Sequence, residues 1–490
     1  MYWLLLIVLG LITYLLVQRS VARITRTPVW ILWLVLMLPA IIWGVWITAY
    51  GEKTQMPPGL MFGSFALCSV LYWLLIQWGR VEPSEKTVPE TEANGSEDGK
   101  SATPALPLRP IDTSEEERLK NCFPWSIYYL EKIEYLPQAV VCKGKLRSNP
   151  EEAYKTIRGN IEQIFDDRFF IIFQESFGGK PFFALVPNPQ AKSTGRAREP
   201  ITRPGIALLL LLLTLLTTTL SGADFAGVTA EKVQANPAVL LQGLPYALAL
   251  VAILGIHEFG HYLTAKAYKI RTTLPYFIPV PFFLGTFGAF IQMRSPSPHR
   301  KALFDVGIAG PIAGLVATIP VLLWGLAHSE VVKSAEASGL LSFNALNPRF
   351  SVLLTLFSKW ALGSQLTPQT AIDLHPVAYA GYIGLLVTAL NLMPVGQLDG
   401  GHIVHAMFGQ KNGAAIGQIT RILVLILALV HPGLLPWAII LLFMPLMDEP
   451  ALNDVTELDN GRDFLGLLSL AILIAILLPV PPAISQWLNV

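Results

Sequence analysis

The chain has 490 residues, 53% hydrophobic and 14% charged, with 35 basic against 34 acidic side chains and a net charge of +1. A soluble protein carries about 25% charged residues, so this composition excludes a purely soluble enzyme and a disordered scaffold. The balanced charge also excludes the usual nucleic-acid binder. Charge is unevenly spread: residues 80–203 hold 19 acidic and 18 basic side chains, leaving 32 for the other 366 positions.

About 20 consecutive apolar residues cross a bilayer as a helix, which satisfies its own backbone groups. In chain order, 2–17, 28–50 and 57–79 read as three spans forming an N-terminal membrane region, 1–79. The first lacks a basic start and a small-residue cleavage site, so it reads as a retained span, and no Arg/Ser-rich transit segment is expected. Residues 80–112, rich in Pro, Glu, Ser and Thr, read as a disordered linker.

Residues 113–200 read as a small α+β domain. Asn149-Pro150-Glu151-Glu152 is a helix start, with proline in the first turn and acids at the positive end of the dipole. Strands are expected at 139–145, 168–174 and 181–186, the last two joined around Gly178-Gly179, in the order β-α-β-β. Nothing in this domain suggests catalysis.

The region 204–481 returns to apolar spans: 205–222, 244–268, 304–328, 376–397, a short pair 415–430 and 433–447 split by His431-Pro432-Gly433, and 463–481. The expected fold is therefore a polytopic α-helical membrane protein of about 9–10 spans with an inserted α+β domain. Arg19, Arg23 and Arg26, then Arg196, Arg198 and Arg203, then Lys266, Lys269 and Arg271, then Arg294, Arg300 and Lys301 all mark the cytoplasmic side, where the inserted domain is expected. Cys68, Cys122 and Cys142 have no CxxC spacing and suggest neither a disulfide framework nor a thiolate metal site. All eight histidines lie after residue 256.

The span 244–268 contains Gly255-Ile256-His257-Glu258-Phe259-Gly260-His261. Histidines at i and i+4 share one helix face, about 5–6 Å apart at Cβ. They can hold one Zn²⁺ while Glu258 takes a proton from bound water. Three ionisable groups in one membrane turn cost several kcal/mol unless paired or metallated. A third ligand is sought in Asn391-Leu392-Met393-Pro394-Val395-Gly396-Gln397-Leu398-Asp399-Gly400-Gly401, which ends a span at a similar depth. Pro394 and Gly396 break the helix, and Asp399 then either turns toward the metal or caps a helix end. His402 and His405 rival it.

Asn391 either bonds a substrate backbone or an oxyanion, or makes an interhelical hydrogen bond. Residues 275–293 are apolar but split by Pro275, Pro279, Pro281, Gly285 and Gly288, which reads as a re-entrant loop or β-hairpin beside the metal. Its edge, at Gly285 and Gly288, could hold an unwound substrate by strand addition; the alternative is an inert loop. Gly310-Pro311-Ile312-Ala313-Gly314 reads as close helix packing. The acids Asp448, Glu449, Asp454, Glu457 and Asp459 read as a solvated loop, or less readily as a gate over the site.

Together, HEFGH and NLMPVGQLDGG resemble the site-2 protease family of intramembrane zinc metalloproteases, peptidase family M50. Most of residues 113–460 is similar to its cyanobacterial and plastid branch, the ethylene-dependent gravitropism-deficient and yellow-green-like proteases. The resemblance implies a three-span core holding one Zn²⁺ on His257, His261 and Asp399, with Glu258 as general base. It implies cleavage within or near transmembrane helices of membrane-protein substrates, in a bacterial plasma membrane or a thylakoid membrane. Many relatives read Pro-x-Pro where this chain has Pro394-Val395-Gly396, which predicts a looser loop. Gly144-Lys145-Leu146-Arg147 is one substitution from the branch's GNLR, and no PDZ-like module is evident. A membrane cation transporter and an inactive protease-like scaffold are the competing readings.

Overall fold

The computed structural model describes residues 27–51, 111–136, 139–176, 178–188, 202–281, 284–333, 346–430, 434–445 and 447–490, with isolated residues between 10 and 78 and residue 191. The expected spans 2–17 and 57–79, the linker 80–112 and the His431-Pro432-Gly433 break lie wholly or mostly outside these residues. So do Arg19, Arg23, Arg26, Arg196 and Arg198. The chain forms two units, Met1–Thr103 and Pro104–Val490. The first contains helix α1 (Val29–Tyr50), 22 residues long and apolar throughout.

The second unit begins with the α+β domain. Helix α2 (Thr113–Asn121) opens on a capping box: Asp112 accepts from the Glu115 amide, and Glu115 accepts from the Asp112 amide. Strands β1 (Tyr128–Leu136) and β2 (Ala139–Leu146) follow, then helix α3 (Pro150–Phe165), then β3 (Phe169–Glu175) and β4 (Pro181–Pro187). The antiparallel sheet has the order β1-β2-β4-β3.

Asn149 caps α3 by accepting from the Glu151 amide, as its sequence predicts. Ala153, Tyr154, Ile157, Ile161 and Phe165 form the buried face of α3. The core is aromatic, with Phe173 and Phe183 stacked at 4.2 Å and Tyr128 edge-on to Phe183.

Strand β1 is absent from the sequence-based expectation. It is an edge strand whose charges pair across the surface, Glu134 with Lys132 and Lys143 and Glu131 with Lys145, so its alternation is masked by charge. Burial pushes the thiol of Cys142 up to about 12 and that of Cys122 to about 11. In the folded chain neither should react with iodoacetamide at mildly alkaline pH, whereas both should in denaturant, as peptide mass spectrometry would read.

The remainder is mainly helical, with a short antiparallel pair at Glu330–Lys333 and Thr370–Asp373. Helices α4 (Pro204–Phe225), α5 (Leu244–Ala267), α6 (Arg300–Ala327), α7 (Val352–Leu362), α8 (Pro376–Leu392), α9 (Asp399–Val430), α10 (Leu435–Phe443) and α11 (Asn460–Leu477) run in order. Between α5 and α6 lies a hairpin, β5 (Tyr276–Pro279) and β6 (Thr286–Phe290). Among the described residues, six helices are long and apolar enough to cross a membrane; α8, at 17 residues, is shorter. Large apolar side chains such as Leu208, Leu212, Val316, Leu423, Phe464 and Ile474 face outward. That exposure suits lipid and not water, and the chain is a membrane protein.

Helices α5, α6 and α8 form the centre. Small residues let them meet: a Cβ at Gly381 would lie 2.6 Å from Leu322 Cα, and one at Gly260 would lie 2.6 Å from the Ala309 carbonyl. The span expected at 415–430 belongs to a longer helix that starts at Asp399 and breaks at Gly409, where φ is +82°. Beyond the break the chain folds back, so that Gly413 packs against the His405 backbone.

Candidate metal centre

The α5 turn carrying His257, Glu258 and His261 is buried, each residue 7% exposed or less. The i, i+4 spacing turns both imidazoles toward α9. The Asp399 carboxylate, first residue of α9, meets them there: its Oδ2 lies 3.3 Å from His257 Nε2 and 3.2 Å from His261 Nε2. The two Nε2 atoms are 3.1 Å apart. Among the described residues this is the one group of three or more His, Cys, Asp or Glu donors close enough to hold an ion.

Local backbone geometry delivers Asp399. Met393 and Gly396 bend the chain between α8 and α9, with Gly396 at φ +54°. A Cβ at Gly400 would strike the Leu392 carbonyl, and one at Gly401 would strike that of Gly396. The two glycines after Asp399 thus let α9 start directly against the end of α8. The looser loop predicted from Pro394-Val395-Gly396 is not found. Gly396 is buried, proline cannot adopt its positive φ, and a Cβ there would hit the Pro445 carbonyl.

The donor set fits zinc. His261 Nδ1 donates to the Val306 carbonyl at 2.7 Å, leaving the Nε2 lone pair bare toward the centre. Asp399 Oδ2 is buried with no hydrogen-bond partner. Electron-rich atoms this close repel one another unless a cation lies among them. Tetrahedral zinc with bonds of about 2.0–2.2 Å separates its ligand atoms by about 3.3 Å, close to the three spacings observed.

The glycines of α6 are part of this centre. A Cβ at Gly310 would fall on His261 Nε2, and one at Gly314 would lie 2.9 Å from His257 Nδ1. The sequence suggested helix packing at Gly310 and Gly314; in the structure their packing partners are the two imidazoles themselves.

Asn391 Nδ2 lies 3.1 Å from His257 Nε2, so its amide reaches the centre from α8. The β5–β6 hairpin packs beside α5: Phe277 lies against Gly255, and a Cβ there would sit 3.6 Å from its ring. Of the two hairpin glycines, Gly285 (φ +82°) is taken up in packing, because its Cα abuts Thr218 and its carbonyl accepts from Thr217 Oγ1 at 2.7 Å. Gly288 (φ +106°) faces open space.

His402 and His405, rivals to Asp399 from sequence, point elsewhere. Both Nδ1 atoms are 2.8 Å from Asp448 Oδ2, and His405 Nε2 is 2.9 Å from Asp454 Oδ1. The acidic stretch is therefore not a solvated loop at these positions: Asp448 is 7% and Asp454 8% exposed. Burial alone would raise the Asp448 carboxyl, but the His402 charge and hydrogen bonds from both imidazoles outweigh it and hold it down at about 2. Arg300, expected as a membrane-surface anchor, is buried and donates from Nε to the Ala406 carbonyl at 2.8 Å. The sequence signal that could have revealed this network was the i, i+3 spacing of two histidines after the double glycine.

Comparison with known proteins agrees with this geometry. Residues 245–430 match the Peptidase family M50 model, and residues 117–193 match the EGY3 middle domain. The chain is 28% identical over 419 residues to the probable zinc metalloprotease EGY1, chloroplastic, of Arabidopsis thaliana, covering 78% of this chain and 74% of the relative. It is 28% identical over 384 residues to the Arabidopsis thaliana EGY2, covering 78% and 66%. To EGY3 of Oryza sativa subsp. japonica it is 25% identical over 381 residues, covering 74% and 64%. No solved structure matches the chain. These relatives favour a protease over a cation transporter. A zinc-fitting donor set inside a helical membrane fold, in a sequence aligned along most of its length with such enzymes, has one consistent reading: residues 245–430 are an M50 peptidase domain, the chain is similar to the EGY branch of the site-2 protease family, and it is a zinc metalloprotease.

Proposed function

We propose that the protein hydrolyses peptide bonds within or near transmembrane helices of membrane-protein substrates. The observation that carries this is the burial of the His257, His261 and Asp399 donors and of Glu258 on walls made of apolar, span-length helices. A soluble peptide would have little reason to enter there. His257, His261 and Asp399 would hold zinc, which supplies Lewis acidity and a water acidified to near neutral pH. Glu258, next to His257 in the same turn, takes a proton from the attacking water and returns it to the leaving amine.

Asn391 donates its amide to the substrate carbonyl, a role open to it once the His257 nitrogen it faces is occupied. The substrate helix must unwind before it can be cut. β6 belongs to a two-stranded sheet, and Gly288 faces open space, so the hairpin can hold the unwound stretch by backbone pairing. Gly285, committed to α4, positions the hairpin without touching substrate. Basic residues after α5 and before α6 support a cytoplasmic or stromal placement of the α+β domain. The chloroplastic relatives support a photosynthetic membrane as the setting.

The test is purified full-length protein with a single-span model substrate in lipid. Cleavage should map by mass spectrometry to the apolar span or its flank. It should vanish when zinc is stripped with a chelator and return on adding zinc. Cleavage that survives complete metal removal, or that maps only to distant soluble loops, overturns the proposal.

A further inference from the structure

The acidic residues after α10 do more than neutralise two histidines. Residues 452–454 lie as an extended segment between two parts of the molecule. On one side Phe173 of β3 donates its amide to the Leu452 carbonyl at 2.7 Å, and the Asp454 amide donates to the Phe173 carbonyl at 2.9 Å. On the other side Leu452 and Asn453 donate to the carbonyls of Ser297 and Pro298 at 2.9 and 3.1 Å, just before α6. The α+β domain thus uses the free edge of its sheet to grip a strap that is also bonded to the protease core.

The strap in turn grips α9. His405, 1% exposed, has each ring nitrogen against a carboxylate, Asp448 on one side and Asp454 on the other. Arg300, whose amide donates to Asn453, reaches from Nε to the neighbouring Ala406 carbonyl. His405 lies six residues after Asp399 on an unbroken stretch of helix, about 9 Å along its axis. Gly307 of α6 seats the same stretch, since a Cβ there would lie 3.0 Å from His402 Cβ and 3.3 Å from the Asp399 carbonyl. A helix held at this ring can neither rotate nor slide without leaving buried carboxylates unpaired.

We propose that His405 is a positioning residue for the Asp399 carboxylate, and that through Asp454 and the 452–454 strap it couples docking of the α+β domain to the metal centre. The inference rests on the zinc reading of that centre. Coupling of this kind is reciprocal: domain docking sets metal affinity, and the metal sets how firmly the domain docks.

The test uses the full chain with His405→Phe, which keeps the ring volume without its nitrogens, and Asp454→Asn, which keeps the shape. Zinc affinity is read by competition with a chromophoric chelator, ligand geometry by the visible bands of the Co²⁺-substituted protein, and folding by circular dichroism. Both variants should weaken zinc about ten- to hundredfold, the usual cost of losing outer support for a ligand, and shift the cobalt bands at unchanged helix content. In the wild type, stripping the metal should speed hydrogen exchange at 169–175, and His405→Phe should abolish that response.

Wild-type affinity and cobalt spectrum in both variants, or exchange at 169–175 that ignores the metal, overturn the inference while leaving the zinc centre intact. A wild-type chain that binds no zinc overturns the centre and the inference together. Should His405→Phe fail to fold, Asp454→Asn decides alone.

Discussion

Gly310→Ala is expected to empty the metal site. The added methyl would fall on His261 Nε2, the nitrogen that faces Asp399, and neither party can yield. The methyl is fixed to the α6 backbone, while the imidazole is held from behind by its bond to the Val306 carbonyl. Displacing a reacting group by about 1 Å costs about a hundredfold in rate, and a displaced ligand nitrogen should cost at least that in cleavage. Zinc content, measured by atomic emission, should fall from one per chain toward zero. Gly255→Ala is the matched control, because its methyl would meet only the Phe277 ring at an ordinary 3.6 Å. Wild-type zinc content in Gly310→Ala would show that α6 does not press on the ligand as described.

Glu258→Gln is expected to separate metal binding from turnover. The substitution keeps size and hydrogen-bonding shape in a buried turn, and Glu258 is outside the three-donor group, so zinc content should not change. Losing a positioned general base costs about 10²–10⁴-fold, equal to about 2.7–5.4 kcal/mol of barrier. The measurement is the initial rate of model-substrate cleavage at matched zinc occupancy. A variant that still cleaves at the wild-type rate removes Glu258 from the chemistry.

These two predictions differ in how far the sequence alone could reach them. His257, Glu258 and His261 were legible because their relation is local: a helix of 3.6 residues per turn puts i and i+4 on one face wherever it sits. The capped helix α3 and the strands β2, β3 and β4 were legible for the same reason, through Asn149, Pro150 and alternating apolar residues. Strand β1 was not, because Glu131, Lys132 and Glu134 hide its alternation, and the two acids find partners on another strand, Lys145 and Lys143. The Gly310 effect was also out of reach: nothing in Gly310-Pro311-Ile312-Ala313-Gly314 says which helix it meets. The acidic stretch from Asp448 looks solvated until α9 brings His402 and His405 against it.

Composition and local spacing by themselves determined a membrane protein, a small α+β insertion, and a helical turn able to bind metal. Which third residue faces that turn, what presses on the ligands, and what the insertion is tied to were decided by tertiary structure. Each depends on two segments far apart in the chain approaching within a hydrogen bond or a methyl radius. Helix periodicity reports a residue's face; only packing reports what that face meets.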